Sequence, residues 1–385
     1  MCQFTFTKKD FLFGGLFCIL SLTIACNKAE NQANTNNTEA QAVAVSASQL
    51  TDTIPSEPEV ETYTVIGVGD MMLGTNYPSA SYLPANGGRD LLSDVEDYLK
   101  NADVTFGNLE GSILDKGGTP KRCSNPSLCY VFRSPESYVQ HFANAGFDVL
   151  SIANNHSGDF GAAGRTRTKQ VLDEAGIAYA GLAGTDEYAT FERNGVKYGF
   201  CAFAPNRGTC SINNVPKAKE IVEKLAAETD VVIVSFHGGA EGSKHQHVPK
   251  KREYYYGENR GDVHAFAHAM VDAGADIIFG HGPHVTRAVE LYKDRFIAYS
   301  LGNFCTYGRF SLAGAAGIAP MVKLEINKRG EFLGGEVVPI YQQKTHGPKV
   351  DPQKRAISKL IELTNADFPN SPLEISADGQ LTKKG

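Results

Sequence analysis

The sequence predicts an α/β fold with mixed sheets, because short apolar stretches alternate with helical patterns along most of its length. From residue 62 onward, strand-like segments such as "TYTVIGVGD" are followed by segments with helical spacing such as "RDLLSDVEDYLKNA". The strands are near-continuous apolar runs, as expected for strands buried on both faces. The last ones, in "MVKLEINKRGEFLGGEVVPIY", have no helix between them and contain a hairpin signal at residues 328–330, which indicates an antiparallel portion.

The composition suits a large globular protein. The chain has 385 residues, of which 42% are hydrophobic and 21% charged, and its formal net charge is −6. That is enough apolar material for one large core or two smaller ones. No long basic stretch is present, so nucleic acid is not an expected partner.

The N-terminus has the pattern of an export signal. Lys8 and Lys9 precede the 15-residue, mostly apolar stretch "FLFGGLFCILSLTIA", and Cys26 follows. This pattern resembles a bacterial lipoprotein signal, in which residues 1–25 are removed and Cys26 is lipidated. One departure is Thr23, which stands where such signals usually have Leu. The expected location is the cell envelope, periplasm-facing or on the outer surface, with a lipid anchor in the membrane; an ordinary cleaved signal and an uncleaved anchor are the alternatives.

The segments on either side of the predicted domain are polar. Residues 26–61 are rich in Asn, Ala, Thr, Ser and Glu and hold no aromatic side chain, so they predict a disordered tether. The folded domain is expected at residues 62–345. Residues 346–385 are mostly polar with one helix candidate, "KRAISKLIELTNA", and are expected to form a polar C-terminal extension.

Two pairs of cysteines are close in sequence. Cys123 and Cys129 form one pair, and Cys201 and Cys210 form the other. In an exported protein such short loops favour disulfides, and free buried thiols are the alternative. Neither pair has the C-x-x-C spacing of a zinc knuckle. Cys305 is left without a partner.

Polar side chains follow five successive apolar strands, directly where each strand is expected to end. Because ligands gather beyond the carboxyl ends of strands in open α/β sheets, we expect these side chains to lie close together. A lone residue of this kind is more often a cap, a turn former or a structural histidine, but burying so many together without a cation or substrate would be costly. The residues are Asp70, then Asn108 and Glu110, then Asn155 and His156, then His237, then His281 and His284.

The residue types at these strand ends suit a divalent metal. Carboxylate and imidazole groups are ligands that Zn, Mn and Fe accept in proteins. The pattern therefore predicts a metal centre with one or two ions, or a polar catalytic centre.

Two other histidine pairs are weaker candidates. His264 and His268 have a chelating spacing on one predicted helix but no Glu between them, whereas His245 and His247 lie in a predicted loop.

The order of six motifs resembles the CapA family of poly-γ-glutamate capsule biosynthesis proteins, a branch of the calcineurin-like metallophosphoesterase superfamily. The motifs are "GDMMLG", "GNLEG", "SIANNHSGDFG", "HGGAE", "DAGADIIFGHGPHV" and "IAYSLGNF". The resemblance covers about residues 63–342. It implies a metallo-dependent phosphatase-like four-layer αββα sandwich with mixed sheets and a metal site at the strand ends.

The resemblance also implies roles for individual residues. It makes His156 the catalytic histidine and Asp159 the acid that orients it. Glu241 in "HGGAE" is a candidate ligand, general base or substrate contact. The implied metal ligands are Asp70, Asn155, His237, His281 and His284, with Asn108 or Glu110 in the region of the bridging carboxylate.

Three positions depart from the superfamily pattern. Met72 stands where the superfamily has a histidine, and Asn108 stands where it has an aspartate. The final histidine pair is separated by two residues rather than one. A single metal, a looser metal pair and a metal-free acid/base site are therefore all compatible with the sequence.

The expected function follows from the resemblance. The protein is expected to act in poly-γ-glutamate capsule biosynthesis, or on related γ-glutamyl amide bonds of surface polymers. The expected chemistry is metal-assisted acyl transfer or hydrolysis. A metallophosphoesterase acting on an exported phosphoester and a non-catalytic accessory or polymer-binding subunit are the alternatives. The expected partners are an anionic γ-glutamyl polymer or peptide and membrane proteins of capsule synthesis. Arg133 and Arg207 are candidates for binding an acidic substrate, although each is equally compatible with a solvated surface residue.

Overall fold

The strands form two large sheets and two short two-stranded pairs in a computed structural model that describes residues 61–123 and 129–384. The strands are β1 Tyr63–Met72, β2 Val104–Leu109, β3 Ser112–Ile113, β4 Arg133–Ser134, β5 Val149–Ser151, β6 Ala178–Ala180, β7 Tyr188–Arg193, β8 Val196–Phe203, β9 Val231–His237, β10 Glu253–Tyr255, β11 Glu258–Gly261, β12 Ile277–His281, β13 Val289–Tyr292, β14 Arg295–Ala298, β15 Asn303–Thr306, β16 Ile318–Ile326, β17 Phe332–Tyr341, β18 Lys349–Val350, β19 Leu373–Ile375 and β20 Gln380–Lys383. The helices are α1 Glu96–Lys100, α2 Val139–Asn144, α3 Gly161–Glu174, α4 Val215–Glu228, α5 Val263–Asp272 and α6 Arg355–Asp367.

Both large sheets are mixed, as the sequence predicts. The ten-stranded sheet has the order β19-β20-β17-β16-β1-β2-β5-β6, with β15 paired to β1 and β18 paired to β17. Its β1, β2, β5 and β6 are parallel, and β16 and β17 are antiparallel. The six-stranded sheet has the order β13-β14-β12-β9-β8-β7 and is parallel except at its two edges. The parallel strands of both sheets therefore carry the predicted site residues at their carboxyl ends.

The two sheets pack face to face around a shared apolar core. Successive side chains of a strand point to opposite faces, so Val65 of β1 enters the core between the sheets while Ile66 points to the other side. Phe106 of β2 and Phe279 of β12 stack across this core with ring centroids 5.0 Å apart. This contact joins β2 and β12, which belong to different sheets and both end at predicted site residues.

Helices cover the outer face of each sheet. Buried residues of α1, α2 and α3, such as Leu99, Phe142 and Leu172, pack in one cluster with the outer face of the ten-stranded sheet. Leu225 of α4 and Met270 of α5 belong to a second cluster on the outer face of the six-stranded sheet. The layers are thus helix, sheet, sheet and helix, which confirms the four-layer αββα prediction.

Capping side chains mark the starts of α4 and α5. The Asn214 side chain accepts a hydrogen bond from the backbone N–H of Lys217 at the start of α4, and Asp262 accepts one from Ala265 at the start of α5. The predicted helix around residues 89–102 is shorter than expected, because turns precede the single turn of α1. The predicted hairpin at residues 328–330 connects β16 to β17.

The C-terminal residues belong to the folded domain. Strands β18 and β20 pair with β17, and β19 pairs with β20. Helix α6 buries Ile357, Leu360 and Leu363 against the two sheets. The boundary expected at residue 345 is therefore corrected: the tail is polar in composition, but its apolar side chains recur at helical spacing and face the core.

One predicted disulfide forms and the other does not. Cys123 and Cys129 are bonded. Cys201 and Cys210 are buried free thiols, as is Cys305. Burial raises the pKa of the Cys210 thiol to about 12 and that of Cys201 well above its ordinary value. Both stay protonated at neutral pH and pack as small apolar groups, whereas disulfide formation needs a thiolate.

The predicted signal, the lipidation site Cys26 and the predicted tether up to residue 60 lie outside the described residues. Within residues 61–123 and 129–384, no helix combines the length and the hydropathy that a membrane span requires.

Candidate metal centre

Asp70 lies in the middle of the candidate site, near the end of β1, and is fully buried. Its Oδ2 lies 2.8 Å from Nδ1 of His284, and its Oδ1 lies 3.3 Å from Nδ1 of His281. Oδ1 also accepts a hydrogen bond of 2.8 Å from Nδ2 of Asn108. Burial alone would raise the pKa of Asp70, but the close contacts with His281 and His284 lower it overall. The group is therefore a charged carboxylate, which is the ligand form.

Asn108 holds Asp70 in place and does not present an oxygen to the site. Because the carboxylate can only accept, the Asn108 side chain turns its Nδ2 to Asp70 and its Oδ1 to Nδ2 of Asn154, 3.1 Å away. Asn154 also donates to the Leu109 carbonyl at 2.8 Å and accepts from the N–H of His156 at 3.1 Å. Of the two residues expected near the bridging position, this leaves Glu110 as the one with free oxygens.

Glu110 is fully buried, and neither of its oxygens has a hydrogen-bonding partner among the described residues. Its Oε1 lies 3.6 Å from Nε2 of His284 and 4.0 Å from Nε2 of His156. Burial and the nearby charge of Asp70 raise the pKa of Glu110 well above its usual range. A buried carboxylate without partners is costly, and a bound cation would remove that cost.

His237 and His281 are neighbours on β9 and β12, where they face each other in the strand register. Both are buried, and within the described chain neither ring makes a hydrogen bond. Burial holds the pKa of His237 well below its ordinary value, so its ring is neutral and able to bind a metal. Ligand atoms of Asp70, Glu110 and His237 all lie within 4.8 Å of one another. These three residues are a candidate divalent-metal site, and the unpartnered buried atoms of Glu110 and His237 fit that group.

The turn after β12 places His284 opposite His281. Gly282 has φ 115°, and a Cβ added there would lie 2.6 Å from the Gly238 carbonyl oxygen. His284 itself has φ 55°, a left-handed conformation that is uncommon for non-glycine residues. Burial would lower the pKa of His284, but the charge of Glu110 and the hydrogen bond with Asp70 raise it to about 10. His284 is therefore positively charged at neutral pH and lies against both acidic side chains, Asp70 and Glu110.

His156 and Asp159 form a pair beside these residues, as expected. Nδ1 of His156 lies 2.8 Å from Oδ2 of Asp159, which also accepts the N–H of Phe132 at 2.6 Å. Lys121 Nζ lies 2.6 Å from the other Asp159 oxygen. Burial lowers the pKa of His156, so the ring is neutral at neutral pH. With its proton on Nδ1, assigned from the contact with Asp159, its Nε2 is turned toward Glu110.

Glu241 forms an ion pair with Arg260, a residue that was not predicted from the sequence. Oε1 of Glu241 lies 2.7 Å from Nη2 of Arg260, whose Nε lies 2.6 Å from Oε2 of Glu258. Arg260 is buried, and the charge of Glu241 contributes to the raised pKa of Glu110. Glu241 therefore lies at the edge of the site with its charge compensated, and its predicted role stays a prediction.

The two arginines expected to bind substrate differ in their surroundings. Arg133 donates through Nε to Asn76 at 2.6 Å and through Nη1 to the Gly117 carbonyl at 3.1 Å, and its guanidinium lies over the Phe160 ring. These contacts hold Arg133 within the fold. Arg207 is exposed and forms no ion pair with the described residues.

Some residues of the site were not predicted from the sequence. Oδ1 of Asn155 is buried without a partner, so it stays a candidate ligand, whereas its neighbour Asn154 carries the hydrogen bonds. Asn303 of β15 pairs with Asp70 in the sheet and donates to the His284 carbonyl at 3.1 Å. Its place in "SLGNF", another polar residue directly after an apolar run, was the available signal. The other missed residues are Lys121, Arg260, Phe132 and Phe310.

The comparison with protein families decides the relationship. The family model "Bacterial capsule synthesis protein PGA_cap" matches residues 64–307. The chain belongs to this family. The predicted CapA resemblance is thereby confirmed.

Relatives of the family agree with this assignment. The "Capsule biosynthesis protein CapA" of Bacillus anthracis is 34% identical over 270 residues, covering 64% of this chain and 60% of that protein. The "PGA biosynthesis protein CapA" of Bacillus subtilis strain 168 is 30% identical over 268 residues, covering 64% and 65%. The chain thus spans less than two thirds of either relative. A solved putative 5'-nucleotidase from Staphylococcus aureus is 15% identical with a TM-score of 0.44, covering 79% of this chain and 58% of that one.

Proposed function

We propose that this protein acts in poly-γ-glutamate capsule biosynthesis, or on related γ-glutamyl amide bonds of surface polymers, by metal-assisted acyl transfer or hydrolysis. The observation that carries the proposal is the neutral, Asp159-bound His156 beside the buried, unpartnered ligand atoms of Glu110 and His237. The names of the Bacillus relatives support the substrate class.

Asp70, Glu110 and His237 would hold the divalent ion. His281 lies against Asp70, and neither of its ring nitrogens makes a hydrogen bond with the described residues, so it is the next candidate ligand. Zn, Mn and Fe all accept this set of carboxylate and imidazole groups. When bound, the ion would polarise a carbonyl oxygen and lower the pKa of a water molecule toward ~7.

His156 would handle the proton. Its Nδ1–H is held by Asp159, so its Nε2 carries the lone pair and is the atom that accepts a proton from the nucleophile. The protonated ring can then give that proton to the departing amine. Lys121 neutralises the second oxygen of Asp159 and so fixes the acid that orients the ring. In these roles Asp159 and Lys121 are positioning residues.

Two aromatic rings shield this side of the site from water. The Phe132 ring lies 4.3 Å from the His156 ring and 5.1 Å from the Phe310 ring, measured between centroids. Phe310 in turn contacts His284 at 5.5 Å. This apolar wall lowers the local dielectric constant around the histidines, which strengthens their interactions with a charged transition state.

A non-catalytic accessory role is the second candidate, and one observation favours it. Both oxygens of Asp70 are already in contact with side chains of the protein, Oδ1 with Asn108 and Oδ2 with His284. A protein that satisfies its own carboxylate in this way could keep the fold without turnover. The names of two Mycobacterium tuberculosis relatives contain the words "accessory protein".

The location at the cell envelope is part of the same proposal. It is supported by the N-terminal apolar stretch followed by Cys26. A lipid anchor there would place the domain next to the membrane proteins with which capsule polymers are made.

Mass spectrometry with a substrate panel tests the proposal. The metal-stripped full-length protein is incubated with poly-γ-glutamate, γ-glutamyl muropeptides and a chromogenic phosphodiester, each with and without Mn²⁺ or Zn²⁺. We expect metal-dependent cleavage or transfer at γ-amide bonds. The His156→Ala variant should lose about 100-fold or more of this activity, because it lacks the proton-transferring group.

The matched control is His141→Ala. His141 lies on α2, and its ring contacts the Gly87 carbonyl. This variant should keep full activity. Turnover of the phosphodiester but not of the amides would favour a metallophosphoesterase. A metal-loaded protein that turns over neither substrate class would favour the accessory role.

A further inference from the structure

A second group of metal-ligating side chains lies on the helix-covered side of the six-stranded sheet. His264 and His268 are one helical turn apart on α5, and Glu290 lies on the edge strand β13. One ligand atom from each of the three residues lies within 4.8 Å of the others. Nε2 of His268 lies 2.9 Å from Oε2 of Glu290. None of these residues belongs to the candidate metal centre at the strand ends.

Aromatic contacts hold both imidazole rings in place. The His264 and His268 rings have centroids 4.2 Å apart. His268 stacks on Tyr292 at 3.8 Å, and His264 stacks on Phe368 at 5.8 Å. Rings that are already ordered lose little conformational entropy when they bind an ion.

The Glu290 carboxylate is also oriented. Glu290 is 9% exposed, and the hydroxyl of the fully buried Tyr299 donates to its Oε2 at 2.7 Å. Hydrogen bonds of this kind orient the carboxylate ligands of protein metal sites. His264 is different: its ring has aromatic contacts but no hydrogen-bonding partner in the described part of the chain. Both histidines are partly exposed, so an ion can enter from solvent.

We propose that His264, His268 and Glu290 form a second divalent-metal site. This site would bind zinc and is separate from the candidate centre at the strand ends. Two histidines at positions i and i+4 of a helix plus one carboxylate form a three-ligand zinc set, and water fills the fourth position. An ion held there links α5 to β13, two elements of the outer layer. Such an ion would stabilise the folded state, because it binds the folded state only.

Zinc counting with single variants tests this site. The metal-stripped full-length protein is incubated with ZnCl₂ and then desalted. Its zinc content is measured by elemental mass spectrometry. The His264→Gln and His268→Gln variants should each bind about one equivalent less than the wild type. The His237→Ala variant should lose its zinc from the other centre, and the losses in a His237→Ala/His264→Gln double variant should add.

The control is His247→Gln. His247 also contacts a carboxylate, with Nδ1 2.8 Å from Oδ1 of Asp367, but among the described residues it belongs to no group of three metal-ligating side chains. Its zinc content should equal that of the wild type. Unchanged zinc content in both the His264→Gln and His268→Gln variants would overturn the proposal, and so would an equal loss in the control.

A measurement on the wild type covers the case in which the variants fold poorly. Diethyl pyrocarbonate modifies accessible imidazoles, and the modified residues are mapped by peptide mass spectrometry with and without Zn²⁺. Zinc should protect His264 and His268 at least several-fold while His247 is modified equally in both samples. Equal modification of His264 and His268 with and without zinc would overturn the proposal. Because neither readout depends on turnover, failure of this site is distinguishable from failure of the proposed function.

Discussion

Asn154 is the residue that connects most parts of the candidate centre without being a proposed ligand. Its side chain joins the end of β2 to the loop after β5, through Asn108, the Leu109 carbonyl and the N–H of His156. Asn108 in turn holds Asp70. One buried amide therefore sets the positions of a proposed ligand and of the proposed proton-transferring histidine.

The substitution Asn154→Ala should lower the free energy of unfolding by about 2–4 kcal/mol, because it leaves the Leu109 carbonyl and the His156 N–H buried without partners. Urea denaturation of the metal-free protein measures this change. Asn155→Ala is the matched control: its side chain makes no hydrogen bond within the described residues, so it should cost less than about 1 kcal/mol. Equal losses from both variants would contradict this account of the site.

Among the secondary structure elements, β9 and β12 matter most to the site, because their pairing sets His237 beside His281. Asp276, directly before β12, helps to hold that register. Its Oδ2 accepts the backbone N–H of Val232 at 2.7 Å, and its Oδ1 lies 2.9 Å from Nε of Arg295. Burial raises the pKa of Asp276 to about 7, although the Val232 N–H and Arg295 oppose the shift.

A pH dependence follows from that raised pKa. The Asp276 carboxyl has a pKa near 3.8 in the unfolded state and near 7 in the folded state, so the folded state binds more protons in between. The stabilisation from protonated Asp276 is complete below about pH 4 and is lost as the pH rises through about 7. The wild type should thus lose about 2–4 kcal/mol of unfolding free energy relative to Asp276→Asn between pH 4 and pH 8.

Urea denaturation at several pH values measures this difference. Asp272→Asn is the control, since the exposed Asp272 pairs with Lys293 and has a lowered pKa. Its stability difference from the wild type should stay flat between pH 5 and pH 8. A flat difference for Asp276→Asn as well would show that Asp276 does not titrate in this range.

In the molecule as a whole, the core between the sheets depends on both ends of the described chain. Tyr63 of β1 and Leu381 of β20 belong to the same apolar cluster, and Leu360 of α6 packs within it. The C-terminal residues thus complete the sandwich on which the strand-end site is built.

Removal of residues 346–385 should therefore unfold the domain. The five buried apolar side chains Ile357, Leu360, Leu363, Leu373 and Leu381 contribute roughly 1.5–3 kcal/mol each, which together is comparable to the whole stability of a domain. Circular dichroism and thermal melting measure the outcome, with aggregation or loss of a cooperative transition expected. As a control, removal of residues 1–57, which precede the described domain, should leave the melting temperature unchanged. A truncated protein that melts cooperatively near the wild-type temperature would refute this prediction.

Much of the fold was predictable because its signals are local. The alternation of apolar strands with helical patterns, the hairpin at residues 328–330 and the polar residue at each strand end are all properties of short windows. The order of six motifs indicated the family and the layered architecture. The short strand pair β10 and β11 had no such periodic signal and was missed, as was the polar tail's contribution to the core.

The identity of the strand-end residues was already set by the order of residues along the chain, since each side chain directly follows its own strand. Which of them meet was decided only by tertiary contacts between distant residues: Asp70 and His284 are 214 positions apart, and Asn108 and Asn154 are 46 apart. Tertiary packing also made Asn108 a support for Asp70 and left Glu110 with free oxygens. It likewise left Cys201 and Cys210 as buried thiols. Hydrogen-bond satisfaction and burial are properties of the packed molecule, so no short stretch of sequence specifies them.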